Sequence, residues 1–214
     1  MRSIDGDATT QARIRDAAIT LFGQRGFAAS TVRDIATAAG ISPGLVIHHF
    51  GSKAGLRTAC DTHVLESARA AAGSSNDPEQ LRDVLTEYLS KPDEYSRELA
   101  YIRQSVVDDS AAGDEFFDAY VRLTGQILAE GLRSGTMRQV QDPLATATWM
   151  VTNSLGLLVL GRHVARSLGN DEFGIETINR IAGPAVELYT HPLYTDESFL
   201  QATRDVVSAA EPEG

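Results

Sequence analysis

Between residues 30 and 53 the chain gathers side chains that can hydrogen-bond phosphates and base edges. They are Ser30, Thr31, Arg33, Ser42, His48, His49 and Lys53, interleaved with Pro43, Gly44 and Leu45. The Ser42-Pro43 step reads as a helix start, because a serine hydroxyl caps the first turn and proline presets φ without losing a needed donor. Gly44 then lets a backbone approach closely, and Leu45 can touch a thymine methyl. His48 falls on the outer face of the same helix. His49 is read first as packed or structurally hydrogen-bonded, with base contact as the alternative. This chemistry is recognition of duplex DNA; nothing in it makes or breaks bonds.

Such residues need short helices to aim them. Apolar spacing predicts a first helix from Thr9 to Arg25, with Ile14, Ala18, Leu21 and Phe22 on one face and Gly26 as its stop, after a frayed polar start over residues 1–8. A second helix spans Thr31 to Ala39, with Ser30 and Thr31 as cap hydroxyls and Asp34 near its positive end. A third runs from Pro43 to Phe50, joined to the second through Gly40-Ile41-Ser42. That spacing is a helix-turn-helix, whose second helix enters a major groove about 12 Å wide. Ile14, Leu21 and Phe22 should form its apolar floor against Ile35, Ile41, Val46 and Phe50.

The remainder also reads as helix, without a convincing strand. A fourth helix is expected from Lys53 to Ala72, then others near 79–90, 93–109, 113–133, 142–168, 173–190 and 196–210, with Pro184 kinking the penultimate one. Residues 73–78 form the clearest linker. The fold class is all-α: an N-terminal three-helix DNA-binding domain over 1–52, a linking helix over 53–72, and a C-terminal helical bundle over 73–214 for effector binding and dimerisation.

Composition narrows the function. Of 214 residues, 43% are hydrophobic and 22% charged, an ordinary globular balance. The net charge of -10 is divided unevenly. Residues 1–60 hold seven basic and four acidic side chains, a net +3, which leaves -13 for the rest. A mildly basic head can meet phosphates while an acidic body is repelled from them. The N-terminus lacks the apolar core of a secretory signal, and no apolar run spans a bilayer, so a cytoplasmic protein without membrane partners is expected. A single cysteine, Cys60, excludes an internal disulfide or a cysteine-cluster metal site. His63, His163 and His191 are scattered, and Ser154 lacks a glycine-flanked elbow. Neither enzyme activity, cofactor nor metal is expected.

Residues 22–56, FGQRGFAASTVRDIATAAGISPGLVIHHFGSKAGL, resemble the DNA-binding domain of the TetR (tetracycline-repressor-like) family of transcriptional regulators. The match rests on Phe22, Gly26-Phe27, Thr31, Arg33 to Ala36, Ala39-Gly40, Ser42, Gly44, His49-Phe50 and Ser52-Lys53. The resemblance implies an all-helical homodimer of nine or ten helices per chain that binds operator DNA and answers to a small molecule. By the same resemblance Arg33 reads a base and can hold guanine bidentately, while Lys53, with Ser30 and Thr31, grips phosphates. Two positions depart from the pattern. Ile47 stands where the family has tyrosine, leaving His48, Ser42 or Ser30 to supply that phosphate contact, and Ala54 stands where glutamate is common.

For the body, the resemblance points to an effector pocket within the segment holding Tyr88, Tyr101, Phe116, Phe117, Tyr120, Met137, Trp149 and Met150; Tyr101, Phe117 and Trp149 are the lining candidates. The dimer interface is expected on the helices near 142–168 and 173–190, through Leu155, Leu158, Gly161, Ile178 and Ile181. Two other readings stand beside the regulator: a helical protein-interaction module, and an effector-independent DNA-binding protein. The charge split and the Ser42-Pro43-Gly44 start weigh against the first, and the acidic body against the second.

Overall fold

The computed structural model describes residues 4–73, 77–191 and 193–210 of the chain. Among them are eleven α-helices and no strand. They are α1 (Ile4–Arg25), α2 (Val32–Ala39), α3 (Pro43–Phe50), α4 (Lys53–Gly73), α5 (Pro78–Ser90), α6 (Pro92–Val106), α7 (Ala111–Ser134), α8 (Pro143–Val159), α9 (Gly161–Ser167), α10 (Ile175–Thr190) and α11 (Ser198–Ala210). The first helix starts at Ile4, ahead of the expected Thr9. One helix more than expected arises because the segment near 142–168 is broken: Leu160 leaves helical geometry, and its N–H closes on Gly156 O at 2.9 Å. Pro184 lies inside α10, which continues to Thr190. Residues 74–76 of the expected linker, the break at Pro192 and the side chain of Tyr88 lie outside the described residues.

Local chemistry explains the first three helix boundaries. Gly26 sits at φ +79°, donating to Phe22 O at 2.8 Å, and so ends α1. Thr31 opens α2 with a reciprocal capping box: its Oγ1 accepts from Asp34 N at 3.1 Å, and Asp34 Oδ2 accepts from Thr31 N at 3.1 Å. The Thr31 side-chain and backbone hydrogen bonds hold the Asp34 carboxyl below its usual range. Gly40, at φ +65°, terminates α2, and the guanidinium of Arg13 caps the carbonyl of Ala39. An N-cap such as that of Thr31 contributes about 1 kcal/mol.

The core runs unbroken from the head into the body. Ile14, Ala18, Leu21 and Phe22 of α1 meet Ile35 and Ala36 of α2, Val46 of α3 and Leu56 of α4, and the same cluster continues through Tyr101, Phe116, Val151 and Leu155. Each fully buried aliphatic or aromatic side chain contributes roughly 1.5–3 kcal/mol. α1 packs on α6 at Gly23, where an added Cβ would meet Tyr101 N at 2.9 Å, so only glycine permits this approach. The chain divides into two compact units, Met1–Val164 and Ala165–Gly214. In the second, Asn170 Nδ2 donates to the buried Thr177 Oγ1 at 2.8 Å and ties the start of α10 to the preceding turn.

Candidate nucleic-acid interface

The third helix is held by its inner face and presents its outer one. Val46 is fully buried, whereas Ser42, Pro43, Gly44 and His48 are exposed and Ile47 is 43% exposed. Ser42 Oγ accepts from Leu45 N at 3.3 Å, so the hydroxyl fixes the first turn while remaining at the surface. Gly44 has nothing within 4 Å of where a Cβ would be, which leaves an open approach to the backbone. His48 and His49 lie edge to face at 5.5 Å, and His49 also packs against Phe50 at 6.3 Å.

Around this turn stand the two cations. Arg33 is exposed on α2. Lys53, opening α4, is partly buried: its Nζ lies 4.3 Å from the centroid of the Phe27 ring and 3.5 Å from Ala28 O, and burial lowers its pKa. Thr31 is exposed at the start of α2. Ser30 corrects the sequence expectation. It is fully buried, and its hydroxyl donates to Leu21 O at 3.1 Å and Gly26 O at 2.9 Å, so it pins the α1–α2 turn and cannot reach a phosphate. The cap of α2 is Thr31 alone.

One basic residue escaped the sequence reading because nothing in its local pattern marks it. Arg57 of α4 is only 6% exposed. Its guanidinium donates to Asp108, lies 3.8 Å from Asp61 and sits 4.9 Å from the centroid of the Phe27 ring. Asp61 in turn accepts from Tyr101 Oη at 2.6 Å, and burial pushes the Asp61 carboxyl up despite these partners. Tyr101 is thus a core residue, 1% exposed, and the cavity it lines with Phe22, Phe27 and Arg57 holds about 10 Å³, too small for the effector expected there.

A cavity of about 610 Å³ lies between α4, α5, α6 and α7. Its walls include Val64, Ala68 and Ala71 from α4, Val84 from α5, Leu99 from α6 and Tyr120 from α7. Of the aromatic residues expected around a pocket, Tyr120 lines this cavity and Phe116 lines one of about 600 Å³ beside Phe27 and Arg57; Phe117 packs against the core, and Trp149 is 60% exposed on α8. The alanine run of α4 was the available signal, since small side chains leave room where four helices meet. On the expected interface, Leu155 is 5% exposed within the chain's own core, so it is not free for a partner. Leu158 packs partly on that core, Gly161 is buried, and Ile178 and Ile181 are half-buried. Leu144, Trp149, Val159 and Leu160 are the exposed apolar residues of α8 and its C-terminal end. Among the described residues no single helix is long and apolar enough to cross a membrane.

Two short helices at a glycine turn, the second offering a capped first turn to solvent, define a helix-turn-helix protein. Residues 14–60 match the model of bacterial regulatory proteins of the tetR family, and residues 93–195 match the tetracyclin repressor-like C-terminal domain. The chain belongs to the TetR family of transcriptional regulators. It is 36% identical to the HTH-type transcriptional regulatory protein RaaS of Mycobacterium tuberculosis, with 94% of each chain covered. Among solved structures it is similar to a TetR-family transcriptional regulator from Rhodococcus sp. (25% identity, TM-score 0.57, covering 71% of this chain and 88% of that one). It also shares its fold with the regulator FadR from Bacillus subtilis, solved in complex with stearoyl-CoA (17% identity, TM-score 0.62, covering 86% and 99%).

Proposed function

We propose that this chain is a one-component repressor that binds a palindromic operator as a homodimer and responds to a small-molecule effector. The observation that carries the reading is the outward first turn of α3: Ser42, Pro43 and Gly44 are exposed while Val46 anchors the helix from beneath. Base contacts are assigned to Arg33, Pro43, Gly44, Leu45 and His48, and phosphate contacts to Thr31, Ser42 and Lys53, with His49 supporting the ring stack beside them. Phosphate contacts set position and affinity; base contacts set sequence preference.

Two half-sites about 34–36 Å apart require two copies related by a two-fold axis. Leu144, Trp149, Val159 and Leu160 supply exposed apolar surface for that dimer. The cavity between α4 and α7 is the effector site in this reading. An occupant would act by favouring one spacing of the two recognition helices over another. Catalysis and a resident cofactor form no part of the function. An electrophoretic shift with the DNA upstream of the protein's own gene tests the reading: a retarded band that resists competitor DNA is expected, and binding no tighter than to unrelated duplex rejects it.

A further inference from the structure

We propose that Ile47 is a specificity-determining residue: its side chain, with Pro43 beside it, seats the C5-methyl group of a thymine in each operator half-site. The proposal deepens the reading of α3 as the helix that enters a major groove, and rests on it.

α3 reads PGLVIHHF and holds no arginine, lysine, asparagine, glutamine or acid. The bidentate contacts that fix guanine or adenine, and the carboxylate that accepts from cytosine, are therefore closed to this helix. What α3 can offer a base edge is an imidazole and apolar surface. Thymine is the base that answers apolar surface, because its C5-methyl stands in the major groove.

Position singles out Ile47 among the apolar residues of the helix. Val46 is fully buried and Leu45 is half-buried, whereas Ile47 is 43% exposed. Pro43 and Ile47 stand one turn apart on one flank of the outward face, Gly44 and His48 form the strip beside them, and Leu45 falls on the opposite flank. Gly44 has nothing within 4 Å of where a Cβ would be, so the α3 backbone can lie close to the groove floor. That depth carries a flank residue past the phosphates to the base edges.

Ile47 is also held still. The Gly51 N–H donates to Ile47 O at 2.8 Å and closes the last turn. A β-branched side chain in a helix keeps essentially one χ1 rotamer, so little freedom is lost when a methyl packs on it.

The probe is the duplex that the full-length protein enriches from a random pool, with each thymine replaced in turn by deoxyuridine, which lacks only the C5-methyl. By fluorescence anisotropy, uracil at one position of a half-site should weaken wild-type binding about fourfold, and at both half-sites about fifteenfold, the value of one buried methyl each. Ile47→Ala, its folding checked by thermal melting, should bind the thymine duplex about as weakly as the wild type binds the uracil one, and respond to uracil less than about 1.5-fold. Leu45→Ala should keep the uracil response. A wild-type protein indifferent to uracil at every thymine overturns the proposal, and so does an Ile47→Ala variant that retains the full uracil loss. Either result leaves α3 as a helix that reads DNA, since the wild type still holds the enriched duplex. A pool in which no sequence is enriched removes that reading and this proposal with it.

Discussion

The guanidinium of Arg57, near the start of α4, donates to the carboxylate of Asp108 in the turn between α6 and α7 while lying over the ring of Phe27. The pair joins three segments: the α1–α2 turn that precedes the helix-turn-helix, the helix that follows it, and the N-terminus of α7. Ser110, the cap of α7, donates from Oγ to the same Asp108 carboxylate at 2.9 Å. The head is consequently clamped to the body by a largely buried cation.

Removing the acid leaves that cation without its main partner. Asp108→Ala should destabilise the fold by about 2–4 kcal/mol in urea unfolding, since breaking a buried pair from one side costs more than the pair itself contributes. A loss under 0.5 kcal/mol would show that the clamp does not hold the two parts together.

The same pair has a pH signature. Burial pushes the Asp108 carboxyl up, but the hydrogen bonds from Arg57 and Ser110 outweigh it, and the pKa falls below the ordinary value. A carboxylate lowered on folding stabilises the native state above its unfolded pKa of about 3.9, and that contribution is lost as pH falls through the lowered value. Melting temperatures between pH 5 and pH 2 should therefore fall less steeply for Asp108→Asn than for the wild type.

At Gly23 the helices α1 and α6 touch backbone to side-chain position, with an added Cβ 2.9 Å from Tyr101 N and 3.1 Å from Ala100 C. Gly23→Ala raises helix propensity but forces α6 away, and the steric term wins. The expected net loss is about 1–3 kcal/mol. A stabilised Gly23→Ala variant in thermal unfolding would mean that the crossing has slack.

Arg33 and Lys53 should fail differently. Arg33→Ala is expected to lose about 1–3 kcal/mol of operator discrimination with little change against nonspecific DNA, whereas Lys53→Ala weakens binding to every duplex and flattens the salt slope by about one unit. Fluorescence anisotropy across a salt series distinguishes them, and wild-type curves for both would remove these residues from the interface.

Trp149 is 60% exposed on α8, and burial in a symmetric interface would account for an aromatic so placed. Trp149→Asp should convert a dimer to a monomer at micromolar concentration by light scattering. A wild-type monomer under the same conditions contradicts the assignment outright.

How far these features could be read from the sequence depended on the range of the interaction. The caps, the glycine stops and the Ser42-Pro43 start are local, and they placed α2 and α3 correctly. Ser30 was misread because a hydroxyl next to a helix start looks like a cap, while its true partners, Leu21 O and Gly26 O, are set by how α1 turns into α2. Tyr101 and Leu155 were misassigned for a similar reason. An aromatic or aliphatic residue at helical spacing carries no mark telling core from pocket or interface. Arg57 and Asp108 are 51 residues apart, and neither stands out before the chain is folded.

The most direct measurement is a selection of bound sequences from a pool of random duplexes with the full-length protein. An inverted repeat should be enriched, with half-site centres about 10–10.5 base pairs, or a multiple of that, apart, and Arg33→Ala should relax one position in each half. A pool that stays random after repeated rounds, while the protein remains folded, contradicts the assignment of α3 as a helix that reads DNA.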